Sequence, residues 1–177
     1  MRNLGLYYEI VKKKNELAIK YYKMATDLCN SDAMHNLGVY YTDIEKNYEL
    51  GVKYYKMSID LGNYAAMNNL GFYYHIENKD YELTIKYFKM AVDLGNSDSM
   101  NNLGYYYMDI EKNNELAIKY YKMAIDLGNS NAMNNLGFYY HKTRDYELAI
   151  KYYKMAIDLG NSYAMINLSF YKKNFIK

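Results

Sequence analysis

The chain has 177 residues, 51% hydrophobic and 18% aromatic, with 22 basic against 20 acidic side chains and a net charge of +2. With a mean hydropathy of −0.48 this composition agrees with a soluble, ordered chain, and no run reaches the roughly 18 apolar residues of a membrane-crossing helix. A single cysteine, Cys29, excludes an internal disulfide and points to an intracellular, reducing compartment.

The chain opens inside a first helix that carries Asn3-Leu4-Gly5. The same tripeptide returns at Asn36, Asn69, Asn102 and Asn135 at 33-residue intervals, and as Asn167-Leu168-Ser169 after 32. A period of this length marks stacked supersecondary units that share one core and present a long ordered surface. A second block follows each tripeptide at Lys20-Tyr21-Tyr22-Lys23-Met24, and its copies begin at Lys53, Lys86, Lys119 and Lys151. Met34, Leu37, Gly38 and Tyr41 fall at i, i+3, i+4 and i+7, and Ala18, Tyr22 and Ala25 at i, i+4 and i+7. Both blocks are therefore read as amphipathic helices.

The units join through Asp-Leu-Gly-Asn, at Asp60 to Asn63, Asp93 to Asn96, Asp126 to Asn129 and Asp158 to Asn161. The glycine suits the left-handed position that ends a helix, and the Asn or Ser after it can cap the next one. Cys29 stands where later units have Gly62, Gly95, Gly128 and Gly160. Inside the units the connections are polar and compact, with Asp80 and Asp145 placed to cap their second helices. Loops this short force antiparallel neighbours, so the chain reads as an all-α array of about five helix-turn-helix repeats. We expect a single domain over residues 1–177, with junctions near 30, 63, 96, 129 and 161. A capping helix closes it from about Ser162 to Asn174, with the polar tail Lys172-Lys173-Asn174. The start has no comparable cap, which leaves end-to-end self-association open.

The string from Met123 to Gly137, Met-Ala-Ile-Asp-Leu-Gly-Asn-Ser-Asn-Ala-Met-Asn-Asn-Leu-Gly, resembles the junction of the Sel-one-like repeats, a branch of the tetratricopeptide superfamily. Leu-Gly-x-x-Tyr and Ala-x-x-x-Tyr-x-x-Ala, as in Ala149, Tyr153 and Ala156, are similar to the tetratricopeptide signature as well. Two features depart from these patterns. The glycine-rich loop common inside Sel-one-like repeats is absent, and Gly-Asn replaces the proline that often ends a tetratricopeptide unit. The resemblance implies a right-handed α-solenoid that works as an adaptor or scaffold for protein–protein interaction, with first helices lining a concave wall.

On that architecture the groove row contains Asn68, Asn101 and Asn134, the aromatics Phe72, Tyr105 and Phe138, and the histidines His75 and His141. Asn36, Asn69, Asn102 and Asn135 form a ladder beside it. A side-chain amide both donates to and accepts from a peptide backbone, so the ladder is a candidate peptide grip. The competing reading has each Asn bonding a neighbouring repeat and positioning helices. The aromatics carry the same pair of readings, anchor pockets for a partner or packing between first helices.

Ten lysines, among them Lys20, Lys23, Lys119 and Lys122, form a stripe along the second helices that could hold nucleic acid or an anionic membrane. Acidic residues four positions away on the same helices, such as Glu16 before Lys20, favour a solvated surface instead. Nucleic acid is an unlikely partner on this reading, since the groove row is nearly free of Lys and Arg. Lys142 and Lys173 alone stand near it, which also argues against capture of a C-terminal carboxylate. Catalysis finds no support, and no metal or other cofactor is expected: three histidines are spread over separate repeats, and no phosphate loop or nucleophile–base pair occurs. With no apolar leader at the N-terminus, a soluble, cytoplasmic protein is expected. The 26 tyrosines, with proline and tryptophan absent, read as the product of an AT-rich coding sequence.

Overall fold

A computed structural model describes residues 1–175, with side chains through Tyr171; those of the tail Lys172, Lys173 and Asn174 lie outside the described residues. The described residues form eleven α-helices and no strand. The first helices of the repeats are α1 (Arg2–Leu6), α3 (Ser31–Val39), α5 (Tyr64–Tyr73), α7 (Ser97–Asp109), α9 (Ser130–Lys142) and α11 (Ser162–Phe175). The second helices are α2 (Asn15–Thr26), α4 (Tyr48–Ile59), α6 (Tyr81–Asp93), α8 (Asn114–Asp126) and α10 (Tyr146–Asp158). Two compact units result, Met1–Leu94 and Gly95–Lys177. In each, helices pack against their chain neighbours, and first helices of adjacent repeats also touch, α3 with α5 in one unit and α7 with α9 in the other.

The two repeated motifs meet inside every repeat. Leu37, Leu70, Leu103 and Leu136 are fully buried, as are Ala117 and Ala124 on the facing second helix. In the Lys-Tyr-Tyr-Lys block the second ring lies under the glycine of Leu-Gly. A Cβ placed on Gly38 would stand 2.5 Å from the Tyr55 ring, and one on Gly104 2.6 Å from Tyr121. No side chain fits there, which is why the first helices keep glycine in mid-helix despite its unfavourable propensity. The first ring of the block stacks on the tyrosine four residues after the leucine. Tyr41 and Tyr54 lie 5.5 Å apart at 5°, and Tyr107 and Tyr120 5.5 Å apart at 4°.

Each repeat junction is built by a left-handed turn and a cap. Gly62 has φ +77°, and the Asn63 amide closes the turn onto the Ser58 carbonyl at 3.2 Å. Asn63 Oδ1 then accepts from the Ala66 amide at 3.0 Å, which caps α5. The same residue does a second job, because its Nδ2 donates back 3.0 Å to Asp32 in the first turn of the preceding first helix. Asn129 repeats the latch onto Asp98 at 2.9 Å, and Asn161 onto Asn131 at 2.9 Å. Cys29 adopts φ +55° at the glycine position, a conformation costly for a residue with a Cβ.

The connection inside the repeats carries an irregularity that amphipathic spacing does not show. After α1, α3 and α5 the chain continues through π-helical turns, Tyr7–Val11, Tyr40–Ile44 and Tyr74–Asn78. A left-handed lysine follows, Lys13, Lys46 or Lys79, and the next amide reaches six residues back, as Asn47 does to the Tyr41 carbonyl at 2.8 Å. In the 32-residue repeat the bond spans five residues, Asp145 amide to Tyr140 carbonyl at 2.9 Å, and α9 stays α-helical to Lys142. The thirty-third residue is thus absorbed at this turn. Asp80 and Asp145 cap α6 and α10 through the amides of Leu83 and Leu148, at 3.0 and 3.2 Å.

Candidate functional site

The first helices are held in place from within by amide-to-amide contacts. Asn135 Nδ2 donates to Asn101 Oδ1 at 3.0 Å, and Asn167 Nδ2 to Asn134 Oδ1 at 2.9 Å. In the other unit Asn69 Nδ2 meets His35 Nε2 at 3.0 Å, and Asn68 Nδ2 lies 3.5 Å from Asn69 Oδ1. The contacts made by Asn69, Asn135 and Asn167 each run from the residue before the leucine to the residue two before the leucine of the preceding repeat, while that of Asn68 stays within its own repeat. Asn36 faces the start of this pattern, where the equivalent residue is Arg2, a donor that turns instead to Asp32 at 3.5 Å. Ile166 occupies the acceptor position in α11 and ends the series. Asn36, Asn68, Asn69, Asn101, Asn102, Asn134 and Asn135 are all half-buried.

The aromatic row stands further out. Phe72 is 52% exposed, Tyr105 47%, Phe138 46% and Phe170 62%, although each sits on a helix whose leucine is buried. His75 and His141 occupy equivalent positions at the ends of their helices. The His75 ring is 6.0 Å from Tyr81, and that of His141 is 6.0 Å from Tyr146 and 5.5 Å from Tyr171. Burial holds the imidazole of His35 below its ordinary pKa and so favours the neutral ring, whose Nε2 accepts from Asn69 in the tautomer protonated at Nδ1.

Hollows open between successive first helices. One, about 190 Å³, lies between α3 and α5, with Asp43, Lys46, Asn69, Phe72, Ile76 and Glu77 in its wall. The other, about 440 Å³, lies between α7 and α9 and is walled by Tyr105, Met108, Asn134, Asn135, Phe138 and Lys142. Their walls share positions two periods apart, Asn69 with Asn135 and Phe72 with Phe138. Tyr55 and Tyr121 supply the floors, and burial pushes both phenols above their ordinary range, so each is a neutral surface. No group of three metal-ligating side chains occurs among the described residues.

The lysine stripe is on the second helices, all ten residues exposed, and none closes an ion pair among the described residues. Lys86 and Lys151 instead sit 5.6 and 5.9 Å from the rings of Tyr87 and Tyr152. No helix among the described residues is long and apolar enough to cross a membrane. Sequence reasoning read the junction asparagines only as caps and missed their latches. Their recurrence opposite Asp32, Asp98 and Asn131 was the available signal.

The Sel1 repeat profile matches residues 1–28, 31–63, 65–96, 97–129 and 130–161. The chain is a Sel1 repeat protein. Proteins of this family are in general scaffolds for protein–protein interaction rather than enzymes. Among solved structures, a Sel1 repeat protein from Oxalobacter formigenes is 26% identical, with a TM-score of 0.81 over 98% of this chain and 78% of that one. The c5321 antigen of uropathogenic Escherichia coli, described as having an SLR fold, is 22% identical with a TM-score of 0.81. This Sel1 repeat protein covers 96% of itself in that match but spans only 40% of the c5321 chain. The immunity protein Pa5087 from Pseudomonas aeruginosa is 25% identical, with a TM-score of 0.60 over 79% of this chain and 56% of its own. No functionally curated protein matches the sequence.

Proposed function

We propose that this Sel1 repeat protein is an adaptor that holds an extended segment of a partner protein along the first-helix faces of its repeats. The observation that carries the reading is the aromatic row. Phe72, Tyr105 and Phe138 stay about half exposed beside hollows whose walls also hold asparagine amides, a buried neutral tyrosine and a few charged side chains. Apolar side chains of a partner would enter the hollows, and amide groups not used between repeats would meet its backbone. The asparagines already bonded across repeats contribute chiefly by fixing that spacing. Each hydrogen bond nets only about 0.5 to 1.5 kcal/mol, so useful affinity needs several repeats engaged together.

The test is affinity capture from source-cell lysate with the wild type and a Phe72→Ser/Phe138→Ser double variant, identified by mass spectrometry. Both rings are exposed, so the variant is expected to melt within a few degrees of the wild type and to lose the captured partner. Retention by a folded variant would remove the row as the working surface.

The exposed, unpaired lysines support a second reading, polyanion binding along the second helices. Capture that collapses between low and moderate salt, and survives the double substitution, would favour it.

A further inference from the structure

The two hollows have the same frame but opposite charge at the mouth. Between α3 and α5 the charged wall residues are Asp43, Glu77 and Lys46, an acidic excess, and Ile76 fills the next position. Between α7 and α9 the position of Ile76 is taken by Lys142, and the carboxylate at Glu77 becomes Thr143. Asp109 is the sole carboxylate in that wall, and it is engaged by Lys112 Nζ at 3.6 Å and the Tyr105 hydroxyl at 3.5 Å. Lys142 Nζ instead lies 4.6 Å over the Phe138 ring, so its charge stands at the mouth with no carboxylate against it. The hollow below it is also larger, about 440 against 190 Å³.

We infer that the hollow between α7 and α9 takes a bulky apolar side chain of a partner segment whose neighbouring residue is acidic. The recognised carboxylate is an internal Asp or Glu side chain. This rests on the adaptor reading and assigns a chemical class to its ligand. The ring of the incoming residue stacks beside Phe138 and Tyr105 over the neutral phenol of Tyr121. The carboxylate then meets Lys142, while Asn134 and Asn135 line the path of the backbone. A basic neighbour in the same place would oppose Lys142. The α3–α5 hollow does not share the preference, because Ile76 offers no charge and the acidic excess at its mouth repels a carboxylate.

The test is titration of the ¹⁵N-labelled full chain with three hexapeptides blocked at both ends, identical except for a central Phe-Glu, Phe-Gln or Phe-Lys. Phe-Glu is expected to shift the amides of Tyr105, Phe138 and Lys142, and to half-saturate at roughly three- to five-fold lower concentration than Phe-Lys, the scale of one exposed charge pair. Lys142→Ile, which copies Ile76 and so keeps a side chain the repeat already accommodates, should erase the difference, and Lys142→Glu should reverse it. Equal half-saturation by all three peptides, with shifts confined to the hollow, overturns the charge preference and leaves the adaptor reading standing. Shifts confined to the second helices, or none with any peptide at millimolar concentration, overturn both.

Discussion

His35 is a titratable rung of the amide row. Its Nε2 accepts from Asn69, a bond that a proton on that nitrogen abolishes, and burial depresses its pKa below the ordinary 6.5. Between that depressed value and about 6.5 the unfolded chain binds a proton that the folded chain does not. Stability therefore rises with pH through this window, is fully present above it, and is lost on acidification. Thermal melts from pH 5 to 7.5 should show the wild type weakening as pH falls. His35→Asn, which installs the residue found at Asn68, Asn101 and Asn134, should weaken less; an unchanged slope would show that the imidazole does not couple to folding. The recurrence of asparagine beside the buried leucine was legible in the sequence, and so was the choice between a peptide grip and a contact within the protein. The acceptor was not, because it lies one repeat and one residue away, a distance at which chain position says nothing until the helices are placed. The exposure of Phe72, Tyr105 and Phe138 was equally hidden, since the same spacing serves rings that pack and rings that face water.

At the scale of the helix, amphipathic spacing located both elements of every repeat, and the Asp-Leu-Gly-Asn junctions located their caps, because helix period and turn chemistry are local. The π-helical turns were not legible, since they leave the spacing of the buried face intact. Length is no guide to them, since the repeat of α7 also has 33 residues and stays α-helical to Asp109. Deleting Asn78 makes the Tyr74 to Tyr81 connection match the shorter one from Tyr140 to Tyr146. We expect that deletion to convert the Tyr74–Asn78 turn to α-helix with little loss of stability, within roughly 1 kcal/mol by chemical denaturation, since the shorter turn already closes with its own cap. A cooperative loss of several kcal/mol would mean that the extra residue holds the first helix at an angle the neighbouring repeat requires.

For the whole molecule, stability should behave as a sum of repeats and nearest-neighbour contacts. Asn161 caps α11 through the Ala164 amide at 3.0 Å and latches onto Asn131 at 2.9 Å. Asn161→Ala removes both bonds. Hydrogen exchange should accelerate in α11 and in the first turn of α9, with α3 to α5 unchanged; acceleration throughout would show that the chain opens as one cooperative body.

The amide bonds between first helices also have a direction, each donating to the copy before it. A 33-residue block that carries its own donor and acceptor, as the one from Leu103 to Asn135 does with Asn135 and Asn134, can be doubled with the bond between Asn135 and Asn101 matched again in the new copy. The number of copies can therefore grow by unequal recombination without any new interface having to evolve, except past Ile166, where the next donor would find a hydrocarbon.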